Sequence, residues 1–147
     1  SVKAISHFLG QSGITFFAAN TCAQDYRAEF PESLHKASFL MPGKKSALHR
    51  NLEAWFDTHS ISPKVVAEFD DSALLKFFGQ TGRGVFCMPT AVEADVLRQF
   101  EVGVIGRTEF LTERFYGILP ERKIKHPAVD VVLKAANQLL AGKNAPV

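Results

Sequence analysis

The chain has 147 residues, 46% of them hydrophobic and 22% charged, the size and mix of one globular domain with a real core. Its net charge of +2 is too balanced for a nucleic-acid-binding domain, so any contact with DNA belongs to another segment. Ser1–Gly10 lacks a cationic start followed by an apolar run, and no apolar stretch approaches the ~18 residues that span a bilayer. A cytoplasmic protein without a membrane partner is expected, and a start at Ser1 in place of Met suggests a chain that begins mid-protein.

Ile14–Ala19, bounded by Gly13 and Asn20, reads as a strand, and Ser38–Pro42 as a second one stopped by Pro42-Gly43. Ser46–His59 turns helical, with Leu48, Leu52, Trp55 and Phe56 on one stripe and Ser46 as N-cap. Lys64–Phe69, rich in β-branched residues, is the next strand. Asp71 caps a helix whose expected core side is Leu74, Phe77 and Phe78. The turn Gly82-Arg83-Gly84 leads into strand Val85–Met88. Thr90 and Glu93 have the spacing of a capping box for a helix reaching about Gln99. Val102–Ile105 and Arg114–Leu119 are strand-like. Pro127 suits the first position of a helix carrying Val129, Val132, Leu133, Ala136 and Leu140.

This alternation of strand and helix predicts an α/β fold with a mainly parallel sheet and flanking helices. The 13 phenylalanines imply an aromatic core, and Cys22 and Cys87, far apart among apolar or small neighbours, read as unpaired, packed thiols. A parallel sheet puts its ligand site where strands end and helices begin. Three segments meet that description: Gly43–Ser46, Asp70–Ser72 and Pro89-Thr90. Ser46, Asp71 and Thr90 are accounted for equally well as helix caps.

Catalytic patterns are absent. The glycine-rich run Gly79–Gly84 precedes a strand and lacks the Lys-Ser/Thr pair of a phosphate loop, and no Gly-x-Ser-x-Gly elbow occurs. His7, His35, His49, His59 and His126 show no metal-ligand spacing and read as surface or interface residues. Asp70-Asp71 reads either as an acid–base pair or as a cap beside a surface charge. No enzyme and no cofactor are expected.

The stretch from Ser38 to Pro89 resembles the effector-binding domain of LysR-type transcriptional regulators. Leu48-His49-Arg50 opening a helix, Pro63 before a valine-rich strand, Leu74-Leu75, and Gly82-Arg83-Gly84-Val85 with Pro89 carry the resemblance. Ser60 departs from it, standing where many members have glycine. Further stretches resemble sodium-responsive members that activate a Na+/H+ antiporter gene: Phe69–Leu74 with Lys76, Phe78 and Gly79, then Ile105-Gly106-Arg107, Glu121-Arg122 and Ile124–Val129.

The resemblance implies a type II periplasmic-binding-protein-like fold, mostly its second lobe. Residues 17–107 would form that lobe, 1–16 a connecting segment at the first-lobe edge, 108–141 the first-lobe strand and helix, and 142–147 a tail. Effector contacts carried over by position are Lys45, Ser46, Ala47, Asp71, Ser72 and Thr90, with Asp71 as an oxygen ligand if the effector is Na+. DNA would be met through an N-terminal helix-turn-helix outside this chain. The alternatives are one lobe of a periplasmic solute-binding transport protein and an enzyme on the same two-lobe fold. The apolar face of the last helix should rest on the Arg114–Leu119 strand or on another copy, and self-association is expected.

Overall fold

The computed structural model describes residues 3–120 and 127–144. Two long strands run through it, β1 (Ala4–Ala19) and β5 (Val102–Pro120), paired antiparallel from Ala4–Pro120 to Ala19–Val102. β4 (Phe86–Pro89) pairs antiparallel with the other edge of β1, giving the order β4-β1-β5. β2 (Ser38–Pro42) and β3 (Lys64–Phe69) form a separate parallel pair. Leu40 N–H donates to the Val85 carbonyl and Val85 N–H to the Ser38 carbonyl, each at 2.8 Å, so β2 also lies beside the entry to β4.

The main sheet is therefore antiparallel, and the expectation of a mainly parallel sheet is corrected. β2, β3 and the start of β4 do run in one direction, as strand–helix alternation requires, but β1 and β5 exchange most of the hydrogen bonds and run against each other. Short strand-helix units said nothing of two strands that cross the whole molecule. β1 begins ten residues earlier than its apolar run, and β5 joins the two segments read separately. Register shifts at Phe8/Gly10, Gly13/Ile14 and Phe16/Phe17 let the pair bend along its length.

α1 (Ala23–Arg27) and a 3-10 turn at Glu32–Leu34 follow β1, then α2 (Ala47–Thr58), α3 (Ser72–Gln80), a 3-10 turn at Thr90–Val92, α4 (Glu93–Gln99) and α5 (Pro127–Asn144). α2 buries the expected stripe: Leu48, Leu52, Trp55 and Phe56. Its Trp55 stacks on Phe16 of β1 with centroids 5.3 Å apart, and Phe56 meets Phe39 of β2 edge-on at 5.3 Å. The aromatic core expected from composition is this contact between α2 and the sheets.

α3 turns only part of the expected face inward, with Phe78 packed against the core. Leu74 and Phe77 are 50% and 51% exposed, whereas Leu75 and Gly79 are buried. A Cβ at Gly79 would collide with the Phe86 ring of β4, so glycine lets helix and strand approach and sets which face is inside. Gly84 lies near β2, where a Cβ would meet Leu40 at 3.0 Å, and Gly82, at φ +83, takes the left-handed turn that delivers the chain into β4. Among the described residues α5 rests chiefly on β1, where the buried Leu140 covers Gly10. Of the expected tail, 142–144 continue α5 and 145–147 lie outside the described residues, as do the Glu121-Arg122 and Ile124–His126 stretches and the side chains of Val129 and Val132.

Candidate functional site

The loops that open α2 and α3 are organised by caps and a close approach. The Ser46 hydroxyl accepts from Leu48 N–H at 3.1 Å and starts α2; the Asp71 carboxylate accepts from Ala73 N–H at 2.7 Å and starts α3. Gly43 N–H donates to the Phe69 carbonyl at 2.9 Å, tying the two loops together, and a Cβ at Gly43 would strike the Asp70 carboxylate. His49 is buried: Nδ1 donates to the Pro42 carbonyl at 2.7 Å, and Nε2 faces the Glu53 carboxylate one turn on. That corrects the surface reading of this histidine; it pins α2 to the end of β2.

These loops and β5 enclose an open cavity of about 620 Å³. Its polar lining is Lys45, Ser46, Asp70, Ser72 and Glu113, and its apolar lining includes Leu48, Phe69, Leu75, Met88 and Pro89, with the Cys87 thiol. Glu113 is half-buried and its carboxyl makes no hydrogen bond or ion pair among the described residues; burial raises it above the usual range. Burial, and then the Glu113 charge, push the Cys87 thiol up as well, so it is a neutral wall group. Cys22 and Cys87 are both free.

Of the residues expected at an effector site, Lys45, Ser46 and Ser72 come together on this cavity, while Ala47, Asp71 and Thr90 are not among its lining. Asp71 is solvent-exposed, its carboxylate directed to the α3 amides. Thr90 does not cap α4. Its hydroxyl bonds that of Thr15 at 2.9 Å, Thr15 donates to Glu93 at 2.7 Å, and Arg107 grips Glu93 through Nε at 2.7 Å and Nη2 at 2.5 Å. Glu93 is drawn toward Arg107 on β5, and the intervening 3-10 turn removes the capping-box geometry. The neighbouring Gly106 leaves room for the Phe30 ring, so the Ile105-Gly106-Arg107 stretch serves packing and this ion pair.

Asp70, in a segment placed at the ligand edge but not among the effector contacts carried over by position, lines the cavity, and Glu113 was missed. Asp70 had a legible signal, since it follows a strand and precedes a cap. Glu113 had none, because its place depends on the pairing of β5 with β1. Among the described residues no group of three or more His, Cys, Asp or Glu gathers to hold a metal ion. No helix of the described residues is long and apolar enough to cross a membrane.

The pattern of the LysR substrate binding domain matches residues 5–141. The chain belongs to that family. The transcriptional activator protein NhaR of Escherichia coli (strain K12) is 36% identical to it over 122 residues, 83% of this chain and 40% of that protein, as is NhaR of Shigella flexneri. The chain thus spans about two fifths of the length of these curated relatives.

Solved structures share the fold. CbnR, a LysR family transcriptional regulator, aligns over 91% of this chain and 46% of its own at TM-score 0.68 and 13% identity. The effector binding domain of QuiR in complex with shikimate aligns over 94% and 65%, at 0.65 and 17%. The regulatory domain of Synechocystis PCC6803 CcmR in complex with 2-PG aligns over 100% and 71%, at 0.63 and 15%. The LysR substrate-binding domain is a regulator's domain and not an enzyme, and its α/β effector-domain architecture is the one described above.

Proposed function

We propose that this chain is the effector-sensing part of a LysR-type transcriptional activator, and that its effector seats in the cavity between the starts of α2 and α3 and strand β5. The observation that carries the reading is the cavity itself. About 620 Å³ lies within the roughly 300–1,000 Å³ of small-molecule sites, and its few polar groups, Lys45, Ser46, Asp70, Ser72 and Glu113, converge from the start of α2, the start of α3 and β5. The CcmR and QuiR domains, solved with 2-PG and shikimate, support a small-molecule occupant. On this reading residues 17–107 are the second lobe and 108–141 return to the first. DNA is bound by a separate helix-turn-helix domain, and the assembly is a cytoplasmic homo-oligomer.

The finer reading is a response to sodium, controlling a Na+/H+ antiporter gene, as the likeness to NhaR suggests. The excess of carboxylates over cations on the cavity lining, Asp70 and Glu113 against Lys45, supports a cationic signal there. Hydrogen exchange in sodium chloride, against choline chloride at equal ionic strength, tests it. The amides of 43–48 and 70–75 should gain protection in sodium. Identical exchange in the two salts contradicts the sodium response.

A further inference from the structure

We propose that the cavity selects an amphoteric organic ligand, with an anionic group toward Lys45 and the start of α2 and an ammonium or guanidinium group toward Glu113 and Asp70. The inference rests on the effector reading above and names the chemical class that would fill the site.

Size comes first. A water-sized occupant takes about 30 Å³, so the 620 Å³ has room for an organic molecule beside any bound ion, with Leu48, Leu75 and other apolar surface to receive it. An organic ligand covers those surfaces. Charge comes second. Elsewhere in the fold Arg107 pairs with Glu93 and Arg98 with Asp95. Lys45, Asp70 and Glu113 form no ion pair among the described residues, and they line one space with opposite signs. A diacid would satisfy Lys45 and the helix start but would be repelled by two carboxylates. A diamine would meet the reverse conflict. One group of each sign removes both.

Environment comes third. Ionising Glu113 in its half-buried position carries a desolvation penalty that a ligand cation at that carboxylate would offset. The positive end of the α2 dipole favours an anion beside Lys45.

Calorimetric titration of the chain with short ω-amino acids, and with the diacid and the diamine of equal carbon count, tests the inference. At the best-fitting length the ω-amino acid should bind at least about tenfold more tightly than either partner, a difference of ~1.4 kcal/mol. Glu113→Gln should reduce its affinity to that of the diacid, and Lys45→Ala to that of the diamine, with both variants folded at the titration temperature. Equal or tighter binding of the diacid, lost in Lys45→Ala, overturns the amphoteric class and leaves the effector site standing. Failure of all three to bind the folded chain also overturns it. The effector reading is judged separately, by regulator variants altered at this cavity.

Discussion

Ser60 stands at φ +55 just past the end of α2, in the left-handed region that glycine enters freely. Its N–H donates to the Asp57 carbonyl and Ile61 N–H to the Phe56 carbonyl, so the turn that ends α2 fixes this conformation. The departure from glycine noted in the sequence is thus a strained position. Ser60→Gly should stabilise the fold by about 1 kcal/mol, read from the urea midpoint; an unchanged or lowered midpoint contradicts this. Glu113 gives a second prediction. Its carboxyl is raised in the folded state by burial, so the folded protein binds this proton more tightly than the unfolded chain does. Its contribution to stability is therefore fully present below the ordinary carboxyl value of about 4.3 and is lost as pH rises through the raised one. Glu113→Gln should flatten stability against pH across that interval. A slope equal to the parent's would show that Glu113 is not the titrating group.

At the scale of elements, β2, α2 and β3 were legible because each is bounded by its own punctuation: Pro42-Gly43, the Ser46 cap and Pro63. α3 and its Asp71 cap were legible, and Phe78 packs on the core as expected, but Leu74 and Phe77 of the expected core side are exposed. Leu74, Leu75, Phe77 and Phe78 offer two apolar faces, and the close approach of Gly79 to Phe86 decides between them. Gly79→Ala tests that account. Alanine favours a helix interior over glycine by about 1 kcal/mol, whereas forcing a methyl into a packed contact costs about 1–3 kcal/mol. The variant should melt lower than the parent, and a higher melting temperature would mean that the helix shifts freely off β4. The outer halves of β1 and β5 were illegible for another reason. Ser6, His7, Gly10 and Gln11 have little strand character, and they are extended because β5 pairs with them.

For the whole molecule, the sequence carried the α/β class and the edge where strands end and helices begin, which is where the cavity lies. It did not carry the antiparallel pairing of β1 with β5, which brings Glu113 to the cavity. α5 is held by its own chain through β1, yet Val131 and Leu139 remain 66% and 61% exposed and Phe110 is 93% exposed. With Phe8, Tyr116 and Ile118 also exposed on the strands, the chain should self-associate at micromolar concentration in sedimentation equilibrium. A monomer throughout would show that these side chains are tolerated in water.

The central claim is that this cavity governs a regulator's response. The most direct test is inducer-dependent transcription from a reporter, using a regulator that carries this domain with Lys45→Ala, Glu113→Gln or, away from the cavity, Glu32→Gln. The two cavity variants should bind operator DNA as the parent does and lose the response to inducer, while Glu32→Gln keeps it. A full response from Lys45→Ala and Glu113→Gln would contradict the account.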